Sequence, residues 1–391
     1  MRIGIDASCW SNRRGFGRFT RGLLPAMFAN PRGHSFCLFT DQPPAPEMER
    51  PNVRVVQVPT IRPVTESAIA GDRRSLRDIL SFSRAVWRER LDLMFFPAAY
   101  SWFPTTFRIP TVVTLHDAIA EHFPDLVFPD RLGRFLWSLK MKLACLTASR
   151  IITVSETAKR EIVDYIGIRG DRIDVICEGA DSHFVPVTSS ERRAATRRRL
   201  RLPADGRLLL FVGGIAPHKN LLNLLAGFSE IAERVPDLRL VIAGDLGGDG
   251  FHSNYEEVVS RAENDARLKG RVHFTGFVGD DDLAALYSDS LALVLPSFSE
   301  GFGLPAIEAL ACRTPVLVSN AVAVAEVAGP AGLTFDPASS SGIGASILKL
   351  ATDPETEARL RQHALERARC CSWSRAAELT LTILERCAGG R

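Results

Sequence analysis

From Ser299 to Glu308 the chain reads Ser-Glu-Gly-Phe-Gly-Leu-Pro-Ala-Ile-Glu, which sets two carboxylates eight positions apart around a glycine-containing turn. Residues of these types can do two things. Where a helix opens, backbone N–H groups without intrahelical acceptors, aided by the helix dipole, attract an anion. The carboxylates of Glu300 and Glu308 can accept hydrogen bonds from sugar hydroxyls. The preceding run Leu291–Leu295 reads as a buried parallel strand. Pro296 to Leu304 is then the loop at that strand's carboxyl end, where open α/β sheets bind ligands. Pro305 suits the first helical position, because its missing N–H has no helical partner there. Taken alone, the segment equally fits an ordinary strand–loop–helix junction with surface glutamates, so other segments must decide.

Four other segments could carry chemistry. Val212-Gly213-Gly214-Ile215-Ala216-Pro217-His218-Lys219-Asn220 follows a strand-like run. Its glycines permit close backbone approach, and Lys219 is a mobile charge suited to a diphosphate. It has neither the Walker spacing nor G-x-G-x-x-G, which argues against an NAD oxidoreductase. Ala243-Gly244-Asp245-Leu246-Gly247-Gly248-Asp249-Gly250 is a second glycine-rich loop on the same sheet edge. Leu115-His116-Asp117 ends a strand and puts a titratable imidazole at the ligand edge of another sheet. Arg13-Arg14-Gly15-Phe16-Gly17-Arg18 joins glycines to arginines before a helix, a combination suited to an anion. Each also has a bland reading, as a turn, a structural histidine or a surface loop.

The elements that must position these residues alternate. Strand candidates in the first half are Ile3–Asp6, Phe36–Thr40, Val53–Val58, Leu93–Phe96, Thr111–Leu115, Ile151–Val154 and Ile173–Ile176. In the second half they are Leu208–Val212, Leu238–Ala243, Val272–Phe274, Leu291–Leu295, Val316–Ser319 and Leu333–Phe335. Helical patterns lie between them, among them Phe19–Phe28, Arg134–Thr147, Glu156–Tyr165, Leu221–Arg234, Asp281–Ser288 and Pro305–Ala311. Such alternation predicts parallel sheets covered by helices. A charged stretch, 189–206, reads as a helix and turn joining a domain over 1–188 to one over 207–371. Its arginine run could meet an anionic surface, but a solvated helix face is the preferred reading. The amphipathic helix from Trp373, within 372–391, has no strand after it and must dock on existing structure.

The 391 residues suggest two or three domains, and 46% apolar with 24% charged residues is ordinary for a globular protein. With Lys plus Arg at 48 and Asp plus Glu at 45, a net charge of +3 gives no argument for nucleic acid as a partner. Eight scattered cysteines show no metal-like spacing, which fits a reducing cytoplasm. Asp6 interrupts the first apolar run too early for a signal peptide, and no run is long enough to span a membrane. The expected location is therefore cytoplasmic, with peripheral contact at the inner membrane surface as an option.

Read together and in order, these segments resemble the retaining glycosyltransferases of the GT-B fold, specifically the family 4 (group 1) glycosyltransferases. The marks are Gly15-Phe16-Gly17, His116-Asp117, Val154-Ser155-Glu156, Val212-Gly213-Gly214 to Lys219-Asn220 and Gly276-Phe277-Val278. Next come Pro296-Ser297, Glu300-Gly301-Phe302-Gly303-Leu304-Pro305, Glu308-Ala309-Leu310, Pro315-Val316 and the final helix from Ser372-Trp373. The resemblance implies an α/β architecture of two Rossmann-like domains with a deep interdomain cleft and a last helix crossing back to the N-terminal domain. It implies transfer of a hexosyl group, mannosyl being the preferred one, from a nucleotide-diphosphate sugar. GDP-mannose is the expected donor, with UDP-sugars as the alternative. The acceptor would be a glycan or lipid-linked glycan, in polysaccharide, lipopolysaccharide or glycoconjugate synthesis.

Carried onto this chain, the resemblance gives Glu308 the ribose hydroxyls and Glu300 the hydroxyls of the transferred sugar. It gives Lys219 the diphosphate, assisted by backbone N–H groups of Phe302, Gly303 and Leu304. His116 would contact the sugar near its anomeric centre, and Gly15 to Gly17 and Gly214 would line the donor site. No cofactor and no metal are implied; Asp280-Asp281-Asp282 reads as a helix cap rather than a metal motif.

Three positions depart from the family pattern. No arginine stands at Gly214 or His218, so Lys219 would work with Arg13, Arg14, Arg18 or His218. Arg313 replaces a usual glycine and would be strained at positive φ. Cys177-Glu178-Gly179 replaces a common Pro-Asn-Gly turn. A catalytically silent sugar-nucleotide-binding protein and a sugar-nucleotide epimerase are the alternatives on the same fold. A glycoside hydrolase is disfavoured, since it would place its two carboxyls about 5–9.5 Å apart around one bond. In Arg131–Lys142, basic residues mix with Leu132, Phe135, Leu136, Trp137, Leu139 and Met141. A core-packed helix with a basic exposed face is preferred there over one resting on an anionic membrane.

Overall fold

The computed structural model describes residues 1–12, 15–67, 75–106, 108–128, 130–244, 254–320 and 322–389. Its short apolar runs form two all-parallel sheets. β1 (Arg2–Asp6), β2 (Ser35–Thr40), β3 (Val53–Gln57), β4 (Leu93–Phe96), β5 (Thr111–Thr114), β6 (Arg150–Thr153) and β7 (Ile173–Val175) make the first, in the order β3-β2-β1-β4-β5-β6-β7. β8 (Arg207–Val212), β9 (Leu238–Ala243), β10 (Val272–Gly276), β11 (Ser290–Leu295), β12 (Val316–Ser319) and β13 (Gly332–Phe335) make the second, in the order β10-β9-β8-β11-β12-β13. Every strand candidate read from the sequence is present. Parallel neighbours need crossovers, and these are largely helical, so both faces are covered and central strands such as β4 and β11 are buried at every position. Strand order reverses beside β1 and β4 in one sheet and beside β8 and β11 in the other. Those switch points are where open α/β sheets leave a ligand crevice at the carboxyl ends.

The chain divides into two compact units, Met1–Glu178 with Trp373–Arg391, and Gly179–Ser372. Within the first, the helix Trp373–Gly389 packs on the helix Gly15–Ala29. Trp373 lies so close to Gly22 that a Cβ there would stand 2.1 Å from its indole ring. The charged helix Ser190–Arg199, read from sequence as a joining segment, is part of the second unit and packs on the helix Asp280–Asp289. Arg192, Arg193, Arg197 and Arg199 are paired with aspartates rather than merely solvated. Arg197 Nε lies 2.5 Å from Asp289 Oδ2, and Arg199 bonds Asp282, which also accepts from Thr196 Oγ1. The N-cap of the helix Asp280–Asp289 is Gly279, so the three aspartates are not its cap; they fill its first turn, favourable to the dipole.

Helix Arg131–Thr147 departs from expectation. Only Met141, Ala144 and Cys145 are buried, while Leu132, Phe135, Leu136 and Leu139 face solvent. A single sequence shows that apolar residues share a helix face but not whether that face meets the core.

Arg313 has φ +63°, the left-handed region anticipated for it. A side chain costs free energy there that glycine does not, partly offset by glycine's larger unfolded-state entropy. Arg313→Gly is therefore expected to stabilise the protein by about 0.5–1 kcal/mol, read as a melting temperature higher by about 1–4 °C. An unchanged or lower value would refute the strain.

Candidate active site

In the second unit the site grows from the β8 and β11 switch point. After β8 the chain passes Gly213 and Gly214 into a 3-10 turn at Pro217–Lys219. Asn220 follows at φ +62°, a conformation asparagine tolerates well. Its amide donates to the carbonyls of Pro296, at 2.9 Å, and Pro337, at 2.7 Å, clamping this turn to the loops after β11 and β13. The Phe298 N–H donates to the His218 carbonyl at 2.8 Å, a second tie. Gly244, after β9, approaches so closely that a Cβ would lie 2.0 Å from the Gly213 carbonyl oxygen. The rest of that loop, 245–250, lies outside the described residues.

These ties hold Lys219 against Glu300. Lys219 Nζ donates to Glu300 Oε1 at 2.6 Å, and Ser297 Oγ donates to the same oxygen at 2.8 Å. Burial pushes the Glu300 carboxyl up, but the charge and hydrogen bond of Lys219, with His218 and Ser297, outweigh it and hold the group below its ordinary range. The result is an ionised carboxylate and a cation at the carboxyl ends of β8 and β11.

Without a bound anion, His218 is held neutral near neutral pH. Burial first, and the adjacent Lys219 charge second, press its pKa from 6.5 to about 4, against a smaller upward pull from Glu300. The sign for stability follows. Between pH 6.5 and 4 the unfolded chain binds a proton at His218 that the folded chain refuses, so this group lowers stability as pH falls through that window. His218→Asn removes the penalty. Relative to the variant, the native protein is expected to lose up to about 2–3 kcal/mol between pH 6.5 and 4. Parallel Tm-against-pH curves for the two proteins would count against it. Of the other candidates beside Lys219, Arg13 and Arg14 lie outside the described residues, and Arg18 lies on the helix Gly15–Ala29 of the first unit.

Gly303 has φ +89°, and a Cβ there would meet Val324 Cγ1 at 2.2 Å. Only glycine fits this bend, which turns the Phe302 backbone into the helix Leu304–Ala311. The helix begins at Leu304, placing Pro305 second rather than first, and no side chain caps it. Pro305 has no N–H and the Ala306 N–H donates to the Gly303 carbonyl at 2.8 Å, so in the first turn the Leu304 N–H is the group without an intrahelical acceptor. Glu308 lies on this helix, 1% exposed, and accepts a hydrogen bond at 3.0 Å from the buried Tyr287 hydroxyl. The sequence reading missed Tyr287. The available signal was a tyrosine in an apolar helix, whose hydroxyl needs a partner once buried. Glu300 and Glu308 thus have different partners and different surroundings. Gly214 is exposed, and no atom lies within 4 Å of where its Cβ would stand.

In the first unit the corresponding groups gather around His116, at the end of β5. Its ring is 8% exposed. Nε2 donates to the Pro97 carbonyl at 2.9 Å, just after β4, and Nδ1 lies 3.3 Å from Glu178 Oε1. Phe16 packs on the imidazole at 5.0 Å between centroids, and Phe19 packs edge-on at 4.5 Å. The glycine segment Gly15–Gly17 is not a loop but the first turn of the helix Gly15–Ala29. The cause is local. A Cβ on Gly17 would sit 1.8 Å from the Asn12 carbonyl oxygen, so glycine lets the helix start directly against the preceding turn. Gly15 has open space around it. The partnership of Glu178 with His116 was not read from the sequence, where Glu178 stood only as a departure from a Pro-Asn-Gly turn.

Among the described residues no group of three or more His, Cys, Asp or Glu side chains could hold a metal ion. What the two units offer is a paired cation and carboxylate, a helix-opening N–H group, and a buried, doubly held imidazole.

Comparison with known proteins agrees with this inventory. Residues 192–367 match the family model described as Glycosyl transferases group 1, and residues 14–184 match Glycosyltransferase Family 4. The O-antigen chain mannosyltransferase B of Escherichia coli is 30% identical over 274 residues, covering 69% of this chain and 68% of the relative. The serotype-specific mannosyltransferase WbdA of Escherichia coli is 31% identical over 239 residues, 60% of this chain but only 28% of that longer protein. Among solved structures, sucrose-phosphate synthase from Thermosynechococcus elongatus superposes over the whole of both chains with a TM-score of 0.76 at 19% identity. Anabaena HepE in complex with UDP-glucose superposes at 0.73 with 18% identity, covering 98% of this chain and 100% of its own. At such identities these two likenesses speak to the fold alone.

Proposed function

This chain belongs to the group 1, family 4 glycosyltransferases, and from that premise we propose that it moves a mannosyl or related hexosyl group from a nucleotide-diphosphate sugar to a glycan or lipid-linked glycan. The observation that carries the reading is the cluster of Lys219, Glu300 and Ser297 at the switch point of the second sheet. In this reading the donor diphosphate takes Lys219 and the backbone N–H groups at the bend into the helix Leu304–Ala311. Phe302, Gly303 and Leu304 supply those groups, and Gly214 leaves room beside them. Glu300 then turns to hydroxyls of the transferred sugar, and Glu308, oriented by Tyr287, to the ribose. His116 contacts the transferred sugar near its anomeric centre, and Gly15 and Gly17 line the donor site. The mannosyl assignment is supported by the names of the two Escherichia coli mannosyltransferases that this chain resembles. A role in cell-surface polysaccharide synthesis has the same support.

The proposed chemistry retains anomeric configuration and uses no metal. The bond from C1 to the diphosphate oxygen breaks, and the acceptor oxygen bonds C1 on the same face. The acceptor proton passes to the departing phosphate oxygen. Charge develops on the leaving diphosphate, where a fixed cation and oriented N–H groups stabilise it without reorganising.

The test is a panel of nucleotide sugars screened first for thermal stabilisation, since a ligand of the native state raises Tm. Assay of nucleoside diphosphate release and product anomer follows. GDP-mannose is the donor expected to stabilise most, UDP-sugars being the alternative. Release should require His116 and Glu300 and yield a product of the donor's anomeric configuration. Stabilisation without turnover for every acceptor would mark a silent binding protein. Conversion of donor without diphosphate release would mark an epimerase, and an inverted product would overturn retention.

A further inference from the structure

Helix Arg131–Thr147 is amphipathic with its apolar side turned outward. Leu132, Phe135, Leu136, Leu139, Leu143 and Leu146 are between 39% and 75% exposed. At about 100° per residue these six fall within an arc of about 100°. That arc lies opposite the side on which Met141, Ala144 and Cys145 enter the core. A single exposed leucine needs no explanation, whereas a continuous apolar stripe marks an interaction surface. The helix carries Arg131, Arg134, Lys140 and Lys142 and no Asp or Glu. Arg131 and Lys142 are exposed and border one edge of the stripe. Lys140 is engaged with the Tyr100 carbonyl at 2.7 Å.

A second helix of the same unit repeats the pattern. Leu76–Arg88 buries Phe82 and Val86 in the same core cluster that receives Met141, Ala144 and Cys145. It exposes Leu76, Leu80 and Trp87, with Arg77, Arg84 and Arg88 exposed beside them. The one acid within that helix, Asp78, is buried and accepts the Ile61 N–H. Two helices on one core cluster thus present apolar stripes accompanied only by cations. Apolar side chains flanked by basic ones suit the headgroup region of an anionic bilayer, where the chains enter the acyl boundary and the cations meet lipid phosphates. Among the described residues no helix is long and apolar enough to cross a membrane.

We propose that these two helices of the first unit form the surface by which the protein lies on an anionic lipid bilayer. This extends the reading of a lipid-linked acceptor, yet it is tested without donor or acceptor. An active protein that fails to bind vesicles would overturn the docking surface and leave the transferase reading intact.

The experiment is flotation of the full chain with vesicles of phosphatidylcholine alone, or with about one third phosphatidylglycerol. The native protein is expected to float with the anionic vesicles and to be released by high salt. Phe135→Glu with Leu139→Glu should weaken binding at least about tenfold. Lys142→Ala and Arg131→Ala should each weaken it about fivefold. The substituted side chains are exposed, so Tm should stay unchanged, which separates lost docking from lost folding. Absence of native binding, or equal binding by the Glu variant, would overturn the proposal. So would a native dimer in sedimentation that the Glu variant abolishes, because a second copy would then cover the stripe.

Discussion

Glu300→Ala is expected to lower glycosyl transfer by about 10²–10³-fold, the range seen when one preorganised electrostatic partner is lost. The reasoning starts from the 2.6 Å contact to Lys219 and the 2.8 Å contact from Ser297, which converge on one carboxylate oxygen. Without the carboxylate, Lys219 loses its partner and, in the proposed reading, the sugar loses an acceptor. Lys219→Ala should cost a similar factor. Because the two side chains act as one unit, the double variant should be no more than about tenfold worse than either single one. Glu300→Gln separates the roles, keeping a hydrogen-bond acceptor while leaving Lys219 without its counter-charge. Initial rates of diphosphate release at saturating donor provide the measurement. A Glu300→Ala enzyme with more than about a tenth of native activity, or strictly multiplicative losses in the double variant, would break the argument.

Gly303→Ala is the other large effect. The substitution meets two independent penalties, a φ of +89° and a Cβ placed 2.2 Å from Val324 Cγ1. The first costs about 1 kcal/mol and the second about 1–3 kcal/mol, as for other overpacked sites. Together they predict a melting temperature lower by about 4–16 °C. The bend leads from the Glu300 loop into the helix that carries Glu308, so donor binding should weaken with stability. Val324→Ala offers an internal control. In that background Gly303→Ala should recover the steric part of the loss and keep the conformational part. If Gly303→Ala is as stable as the native protein, the bend does not require glycine.

The parallel sheets were legible because buried strands are short apolar runs, and residues such as Leu291–Leu295 leave little else to be. Helices were less legible. Ser340–Thr352 and Pro354–Arg369 were not named from the sequence, since their apolar positions are sparse among small or charged residues. In Arg131–Thr147 the periodicity was plain and its direction was not, because a pattern has a face but no sign. Glu300 and Lys219 stood out by type and by the loops they follow, but their ion pair joins residues 81 positions apart. Separation in sequence also hid the pairing of Glu178 with His116 and, across 21 positions, of Tyr287 with Glu308. Gly15–Gly17 was legible as a place where side chains are excluded, though the excluding group, the Asn12 carbonyl, was not.

The docking of Trp373 over Gly22 ties the first unit to the order of synthesis. That unit buries the helix Trp373–Gly389 against the helix Gly15–Ala29, and Phe19 lies between the Trp373 ring, at 5.8 Å, and the His116 imidazole, at 4.5 Å. On the ribosome, residues 179–372 must be made after the first sheet and before this helix. At about 5–20 residues per second that interval is on the order of ten to forty seconds. Throughout it the nascent first unit lacks this helix and the Trp373 ring beside Phe19, while the second unit is one continuous stretch of chain. The first unit, interrupted in sequence by the second, is therefore completed only after the second has been made.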